Sequence, residues 1–401
     1  MNALPPIFHH LPAVLTISAF AFFGCGSSGS EDSDSDPPSC ITIENSTEIE
    51  GDTTLDSDCY TIEAILSIDH GTLSVSGGTT LHFSNGSGLS VQGAARLQVI
   101  GDTDQPVVLR GTEGERGLWR GIYIDSPGPH QLEGLQLQDA GGDNWAGQPH
   151  LTRGGIVVGS DSTELQIMDS HFRNNEYAAI TTATPDATIE VSRSRFEDND
   201  FPLRFHANHL SGIDGDNHFV DNRTNAVLVH TDEPVLRQST WAALDAPYTF
   251  DEIVQIKNLV TIEPGTTLSF RRNTGLDIDG GSLRVDASNA QPVRFVGVHD
   301  TPGSWRGIRF RNTPPAGNQL THIEIHHAGS ERWVQDWGNS QAAILVDQDG
   351  FLDLNDALIA DSDYHAISVR DALLVGCEAL RFENNHRHSV HSYEDDESCY
   401  D

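Results

Sequence analysis

Hydrophobic residues along this chain recur at every second position in short runs, and glycine, asparagine or aspartate separates the runs. Leu81 and Phe83, Leu89 and Val91, Leu97 and Val99, Ile122 and Ile124, and Leu135 and Leu137 each bracket a polar residue, which gives a strand one apolar face and one wet face. No long stretch carries the 3.6-residue period of an amphipathic helix. Between residues 61 and 400 the pattern therefore predicts β-structure almost throughout, in short strands closed by tight turns.

A longer period lies over the alternation. The segments LQIMDSHFRNNEYAAITT (165–182), IEVSRSRFEDNDFPLRFH (189–206) and IDGDNHFVDNRTNAVLVH (213–230) repeat every 23 or 24 residues. Phe172, Phe196 and Phe219 fall in register, as do Asn175, Asn199 and Asn222; Ile359 with Phe382 and Ser362 with Asn385 continue the series. Phenylalanines in register form an internal aromatic stack, and asparagines in register form a hydrogen-bonded ladder from one turn to the next. A unit this short cannot bury a core of its own, so the units must stack.

The longest repeat is a duplication of about 73–182 over 260–369. GLWRGIYI (117–124) returns as GSWRGIRF (303–310), which places Trp305 186 residues after Trp119. Upstream, the segment beginning Gly78-Thr79-Thr80-Leu81 matches Gly265-Thr266-Thr267-Leu268, and Gln105-Pro106-Val107 matches Gln291-Pro292-Val293. These features together resemble the bacterial right-handed parallel β-helix repeat proteins of the pectin-lyase-like superfamily, over residues 60 to 395. The resemblance implies an all-β, single-stranded, right-handed solenoid with three strands to a coil and roughly fifteen coils. With coils about 4.8 Å apart, the 186-residue offset implies roughly eight coils, so the two Trp-Arg-Gly-Ile segments should share one face about 40 Å apart. It implies little about activity, because the superfamily includes lyases, glycosidases, adhesins and proteins without chemistry.

Charge narrows the partners. Fifty-nine acidic against 23 basic residues give a net charge of −36, which excludes phosphate-held nucleic acid. The acidity reads as a solvated surface. An apolar run from Leu11 to Phe23 has signal-peptide length and ends at Phe22-Phe23-Gly24-Cys25, which resembles a bacterial lipobox, although its phenylalanines are bulky and His9 and His10 replace the usual cations. Residues 1–24 are accordingly expected to be a lipoprotein signal peptide, Cys25 the lipidated residue, 25–39 a flexible acidic tether and 40–401 the β-helix. That places the protein in the bacterial cell envelope, at the outer membrane on its periplasmic or surface face, with the membrane as a partner through the lipid anchor. Of the other cysteines, Cys40 is expected to pair with Cys59 and Cys377 with Cys399, as an exported chain allows. Metal binding by the four is the alternative, but no pair has zinc-ribbon spacing.

Two matching insertions, 139–155 and 327–343, break the coil period at the same point of each half and carry Trp145, Trp333 and Trp337. Loops on a rigid scaffold are where function gathers, and exposed indoles suit stacking on sugar rings. Trp145, Trp333, Trp337, Arg153 and Arg332 are the ligand-binding candidates, with His150, Glu331 and Asp336 beside them; the competing reading folds the tryptophans back over their own loops. The Trp-Arg-Gly-Ile segments themselves read as coil geometry. His206 and His230 should stack on adjacent coils near His209 and His218, as a surface ladder more than a metal site. Asp214-Gly215-Asp216-Asn217 alternates oxygen ligands but lacks the downstream glutamate of an EF-hand loop, so calcium is a weak candidate and no other cofactor is indicated. His386, His388, His391, Asp395, Asp396 and Glu397 read as a solvated end.

No catalytic residue is assigned. The N-T-D, G-H-G and R-I-K signatures of polygalacturonase-like enzymes are absent, and the sole D-D pair, Asp395-Asp396, sits at the chain's end. The reading is a non-catalytic, lipid-anchored surface display or binding protein for polysaccharide or cell-surface glycan. A polysaccharide lyase or glycoside hydrolase on the same scaffold is the alternative, and a purely architectural envelope component is a third.

Overall fold

Fourteen strands, from Thr47–Glu50 to Arg381–Glu383, lie side by side in one sheet that runs the length of the molecule. The structure is a computed structural model that describes residues 40–145, 152–392 and the backbone of 397–398. The expected signal peptide, Cys25, the tether, His150 and Cys399 lie outside the described residues. Half of the chain is strand and 3% helix, so the molecule is all-β. Its strands pair in parallel with close register, as where Ile180 faces Leu203 and Leu203 faces Val227.

The long sheet is joined by four shorter ones. A first sheet of eight strands (Ile41–Ile43 to His218–Val220) and a third of six (Thr53–Leu55 to Thr188–Ser192) accompany its first half. A fourth of six (Ile253–Ile256 to Val390–His391) and a fifth of seven (Ser239–Trp241 to Glu397–Ser398) accompany its second half. Each coil visits three sheets in turn, so the molecule is a parallel β-helix of about fourteen coils, against the fifteen that a 23-residue spacing implies.

Inward residues build one continuous core. Phe172 stacks on Phe196 at 5.0 Å and Phe196 on Phe219 at 5.3 Å. Trp119 stacks on Phe83 at 4.0 Å and Trp305 on Phe270 at 4.3 Å, both tryptophans fully buried, with their Nε1 donating to the carbonyls of Gln138 and His326. The repeated tryptophans are thus core.

The turns explain the other register. Asp139, Asn174, Asp198 and Asp221 occupy one left-handed corner on successive coils, with φ of 66°, 54°, 53° and 53°, a conformation Asn and Asp tolerate best among residues with a β-carbon. Just past that corner the asparagines form a ladder. Oδ1 of Asn199 accepts from both the backbone N–H (3.1 Å) and Nδ2 (2.8 Å) of Asn175, and Oδ1 of Asn222 does the same for Asn199 at 3.0 Å each. Asn385 makes a separate rung, accepting from the Ser362 N–H and donating to the Ile359 carbonyl.

The duplicated halves do not present the same face. Thr80–Phe83 belongs to the first sheet, but its counterpart Thr267–Phe270 belongs to the long sheet; Ile122–Asp125 is in the long sheet, but its counterpart Gly307–Arg311 is in the fourth. Between Thr80–Phe83 and Thr267–Phe270 the chain advances twenty strands and passes two single bridges, at Ile213 and Val235. At three positions to a coil, these twenty-two steps are seven coils and one position more. The expectation of a shared face assumed a whole number of coils. Instead the second half is turned by one face about the axis, and its equivalent sites are displaced by about 34 Å along it.

Cys40 is bonded to Cys59 across the first coil. Cys377 is also disulfide-bonded.

Candidate functional site

The two loops fold the same way. In the first half the Arg120 guanidinium stands 5.8 Å from the Trp145 ring centre, and a β-carbon on Gly88 would come within 2.7 Å of that indole. In the second half Arg306 stands 5.3 Å from the Trp333 ring centre, and the same construction at Gly275 comes within 3.3 Å of it. The repeated arginine therefore clamps the repeated loop tryptophan over a repeated glycine. Tyr123 adds a near-parallel ring 5.7 Å from Trp145, and Glu331 pairs with Arg306 at 2.8 Å.

Both loop tryptophans are half-buried rather than exposed, and Trp337 is only 7% exposed. Arg370 covers Trp337 at 5.0 Å. The indoles fold back onto the solenoid because a flat strand opening at glycine leaves room for them and a guanidinium holds the ring from the side. One feature recurs in both halves: the buried Nε1 of Trp145 and Trp333 and the buried Nε of Arg120 and Arg306 have no acceptor among the described residues. Buried donors are normally paired, and leaving one unpaired costs about 1–3 kcal/mol.

Arg153 turns inward, donating from Nε to the Gly141 carbonyl at 2.7 Å and pairing with Glu176. Arg332 is exposed and reaches the Gln335 carbonyl at 3.4 Å, and Asp336 is exposed. Arg153 thus braces its loop, while Arg332 faces solvent.

Beside Trp333 and Trp337 the outer surface of the fourth sheet carries a charge lattice. Asp277 lies opposite Arg309, and Asp279 opposite Arg311, on adjacent strands. Arg309 makes a two-point pair with Asp347 at 2.9 and 2.7 Å, and Arg311 makes one with Asp277 at 3.0 and 2.8 Å while also reaching Asp279 at 3.2 Å. Arg309 and Asp347 are both buried. Such planar two-point pairs are rigid and specific. Sequence reasoning missed this lattice; its signal was D-x-D at 277–279 standing over R-x-R at 309–311 once the coils are aligned.

A cleft of about 460 Å³ opens where the halves meet. The third sheet stops at Thr188–Ser192, a short 3₁₀ helix, Ala207–Gly212, replaces its next strand, and only Ile213 bridges back to Val191. Glu190, Asp214 and Glu263 line the cleft with Ser192, Ser211 and Thr240. The calcium candidate loop is partly committed elsewhere: Asn217 is buried, accepts from the Ser194 N–H and donates to the Val191 and Asp214 carbonyls.

His206 lies opposite His230 in adjacent strands, with ring centres 5.6 Å apart, and His209 is 5.9 Å from His206. All three are buried, so they are not a surface ladder. Burial pushes the basicity of His209 and His230 down to about 3, helped by neighbouring cations. His218 does not join them; it is exposed on the first sheet and pairs with Asp245 at 3.3 Å. Among the described residues no three His, Cys, Asp or Glu side chains close on one point as a metal cluster, and no helix is long and apolar enough to cross a membrane.

Compared with family models, with curated proteins and with solved structures, the chain has no match.

Proposed function

We propose that this protein is a non-catalytic, glycan-binding β-helix of the bacterial cell envelope, allied to the right-handed pectin-lyase-like repeat proteins and held to the outer membrane by lipid on Cys25. The observation that carries the binding reading is the matched pair of loop units. Each holds a clamped, half-buried indole and two buried N–H donors that have no acceptor among the described residues, and hydroxyl-rich sugars supply both an apolar ring face and acceptor oxygens once the loop opens to admit them. The fourth-sheet lattice of Arg309, Asp347, Arg311 and Asp277 gives the second unit an ordered polar floor. Because the units sit one face apart, a single straight polysaccharide does not span both, and the protein engages two chains.

The test is a screen of the full chain in detergent against neutral and acidic polysaccharides. Binding at two sites is expected, with Trp145→Ala and Trp333→Ala each removing one. Unchanged binding in the double variant would reject the site. Mass spectrometry of the mature N-terminus tests the anchor separately, and an unmodified terminus beyond Cys25 would reject that part.

A second reading, a glycoside hydrolase or polysaccharide lyase, is favoured by the cleft at the seam, where three carboxylates border a space large enough for a sugar. Release of reducing ends or of unsaturated uronates, lost in Glu190→Gln or Glu263→Gln, would establish it in place of the first.

A further inference from the structure

The last turn of the solenoid brings together three imidazoles that are far apart in the chain. His365 opens the strand His365–Arg370 of the fourth sheet. His391 belongs to the strand stacked on it, opposite Ser368. His388 lies in the turn leading into that strand, its carbonyl accepting from the Ala366 N–H at 3.1 Å. The ring centres are 5.3 Å apart for His365 and His388, 4.9 Å for His365 and His391, and 5.8 Å for His388 and His391. With metal–nitrogen bonds of about 2 Å, two imidazoles on one ion have centres roughly 5–6 Å apart. Here the rings are stacked, with planes 16°, 12° and 27° apart, and their nitrogens do not close on one point as they stand, so rings must turn to form a site.

Two further contacts mark the spot. Asn339, in the short 3₁₀ helix Gly338–Ser340 of the Trp337 loop, donates from Nδ2 to Nε2 of His391 at 2.7 Å, while Nε2 of His365 stands 3.5 Å from its Oδ1. One amide therefore occupies the place where ring nitrogens of two coils converge. His365 is 2% exposed, and its Nδ1, on the other side of the ring from Nε2, has no partner among the described residues. Its Nε2 is only weakly held, at 3.5 Å from the amide, and is the nitrogen that an ion in place of that amide would engage.

We propose that His365, His388 and His391 bind a divalent transition-metal ion of the zinc or copper class. Imidazole sets select these ions over calcium or magnesium. His365 is the fixed ligand, held in the core; exposed His388 and half-buried His391 rotate to close the set, and His388 gives the ion its entry path. The ion ties down the final coil, where Leu380, Phe382 and Val390 are only partly buried, and it competes with Asn339 for His391, which couples the end of the solenoid to the Trp337 loop. His365 joins the cluster only through the fold, because it stands 23 residues before His388 in the sequence.

The experiment titrates the full chain, carrying no added histidines, with Zn²⁺ and with Co²⁺, reading heat and cobalt visible absorption. One equivalent is expected, with a rise in melting temperature that a chelator reverses. His388→Gln and His391→Gln, singly and together, should abolish the stoichiometric step, while His386→Gln should leave it intact and Asn339→Ala should tighten it. Copper bound to the unmutated chain should show nitrogen hyperfine structure, a readout that does not depend on how any variant folds. Failure of the unmutated chain to take up one equivalent, or full binding by the double variant, would overturn the proposal.

Discussion

Trp145 packs over Gly88 so closely that position 88 has no room for a side chain: a β-carbon on the glycine would stand 2.7 Å from Cη2 of the indole and 2.8 Å from Cζ2. The severe clash is with the indole, and the Gly121 carbonyl is a tighter-than-usual neighbour at 3.0 Å, so the loop yields first and the strand is left with a smaller strain. Gly88→Ala should dislodge the Trp145 loop at a cost of about 1–3 kcal/mol. Trp145→Ala should remove most of the cost of the same glycine change, leaving the smaller strain against the Gly121 carbonyl at 3.0 Å, so the two substitutions are non-additive. Urea melts of the four proteins check this, and simple additivity would show that the indole does not sit over the glycine. Gly275 differs, because its β-carbon would meet the Gly307 carbonyl at 2.3 Å, and Gly275→Ala should destabilise whether or not Trp333 is present.

The Arg309–Asp347 pair is the other buried commitment of the second half. Removing one partner leaves an uncompensated buried charge, typically at a cost of about 3–5 kcal/mol. Asp347→Ala should therefore be severe, whereas Arg309→Met with Asp347→Leu should recover most of the loss. Equilibrium unfolding of the single and double variants decides; a double variant no better than Asp347→Ala would mean that the pair does not act as a unit.

Much of the fold was legible because coil stacking writes itself as register. The 23-residue spacing of Phe172, Phe196 and Phe219 and of their asparagines follows from one residue type filling one geometric position, coil after coil. What was not legible was phase. The 186-residue offset between Trp119 and Trp305 is close to eight spacings of 23, but the coils are unequal, since insertions lengthen some of them and the seam coil takes only 21 residues from Val227 to Tyr248. A residue count therefore cannot reveal that one strand position is left over. The candidate site shows the same divide. The tryptophans of the loops stand out in the sequence, whereas their orientation depends on Arg120, Arg306, Gly88 and Gly275, which lie in other coils. The pairing of Arg309 with Asp347, 38 residues away, needed the strand register.

The side chain of Asn199 carries four hydrogen bonds in a fully buried place: its Oδ1 accepts two from Asn175, and its Nδ2 donates to the Phe172 carbonyl and to Asn222 Oδ1. Asn199→Asp preserves shape but replaces a donor with a charged acceptor, so the Phe172 carbonyl loses this donor, Asn222 Oδ1 keeps only the Asn199 backbone N–H, and a carboxylate is desolvated beside both oxygens. It should cost more than Asn199→Ser, and each should exceed about 2 kcal/mol. Hydrogen exchange at the Asn175 amide should quicken in Asn199→Ser, which withdraws the acceptor from that N–H; protection equal to that of the unmutated protein would show that the ladder bond contributes nothing.

Acid should weaken the molecule through its buried histidines before it protonates most carboxylates. His209 and His230 are held down to about 3 from an ordinary 6.5, first by desolvation, then by His206 and Arg237 at His209 and by Arg204 and His206 at His230. A base whose folded pKa lies below its unfolded value binds protons preferentially in the unfolded chain. The native state therefore has its full advantage above about pH 6.5 and loses it as pH falls toward about 3. The slope is at most about 1.4 kcal/mol per pH unit for each histidine. His206 is shifted in the same direction by burial, while Asp232, 3.2 Å from its Nε2, opposes the shift. Melting temperature measured from pH 7.5 to 4 should fall steadily, and His209→Gln with His230→Gln should flatten the profile even if it lowers stability at pH 7.5. An unchanged slope in that double variant would place the acid sensitivity elsewhere.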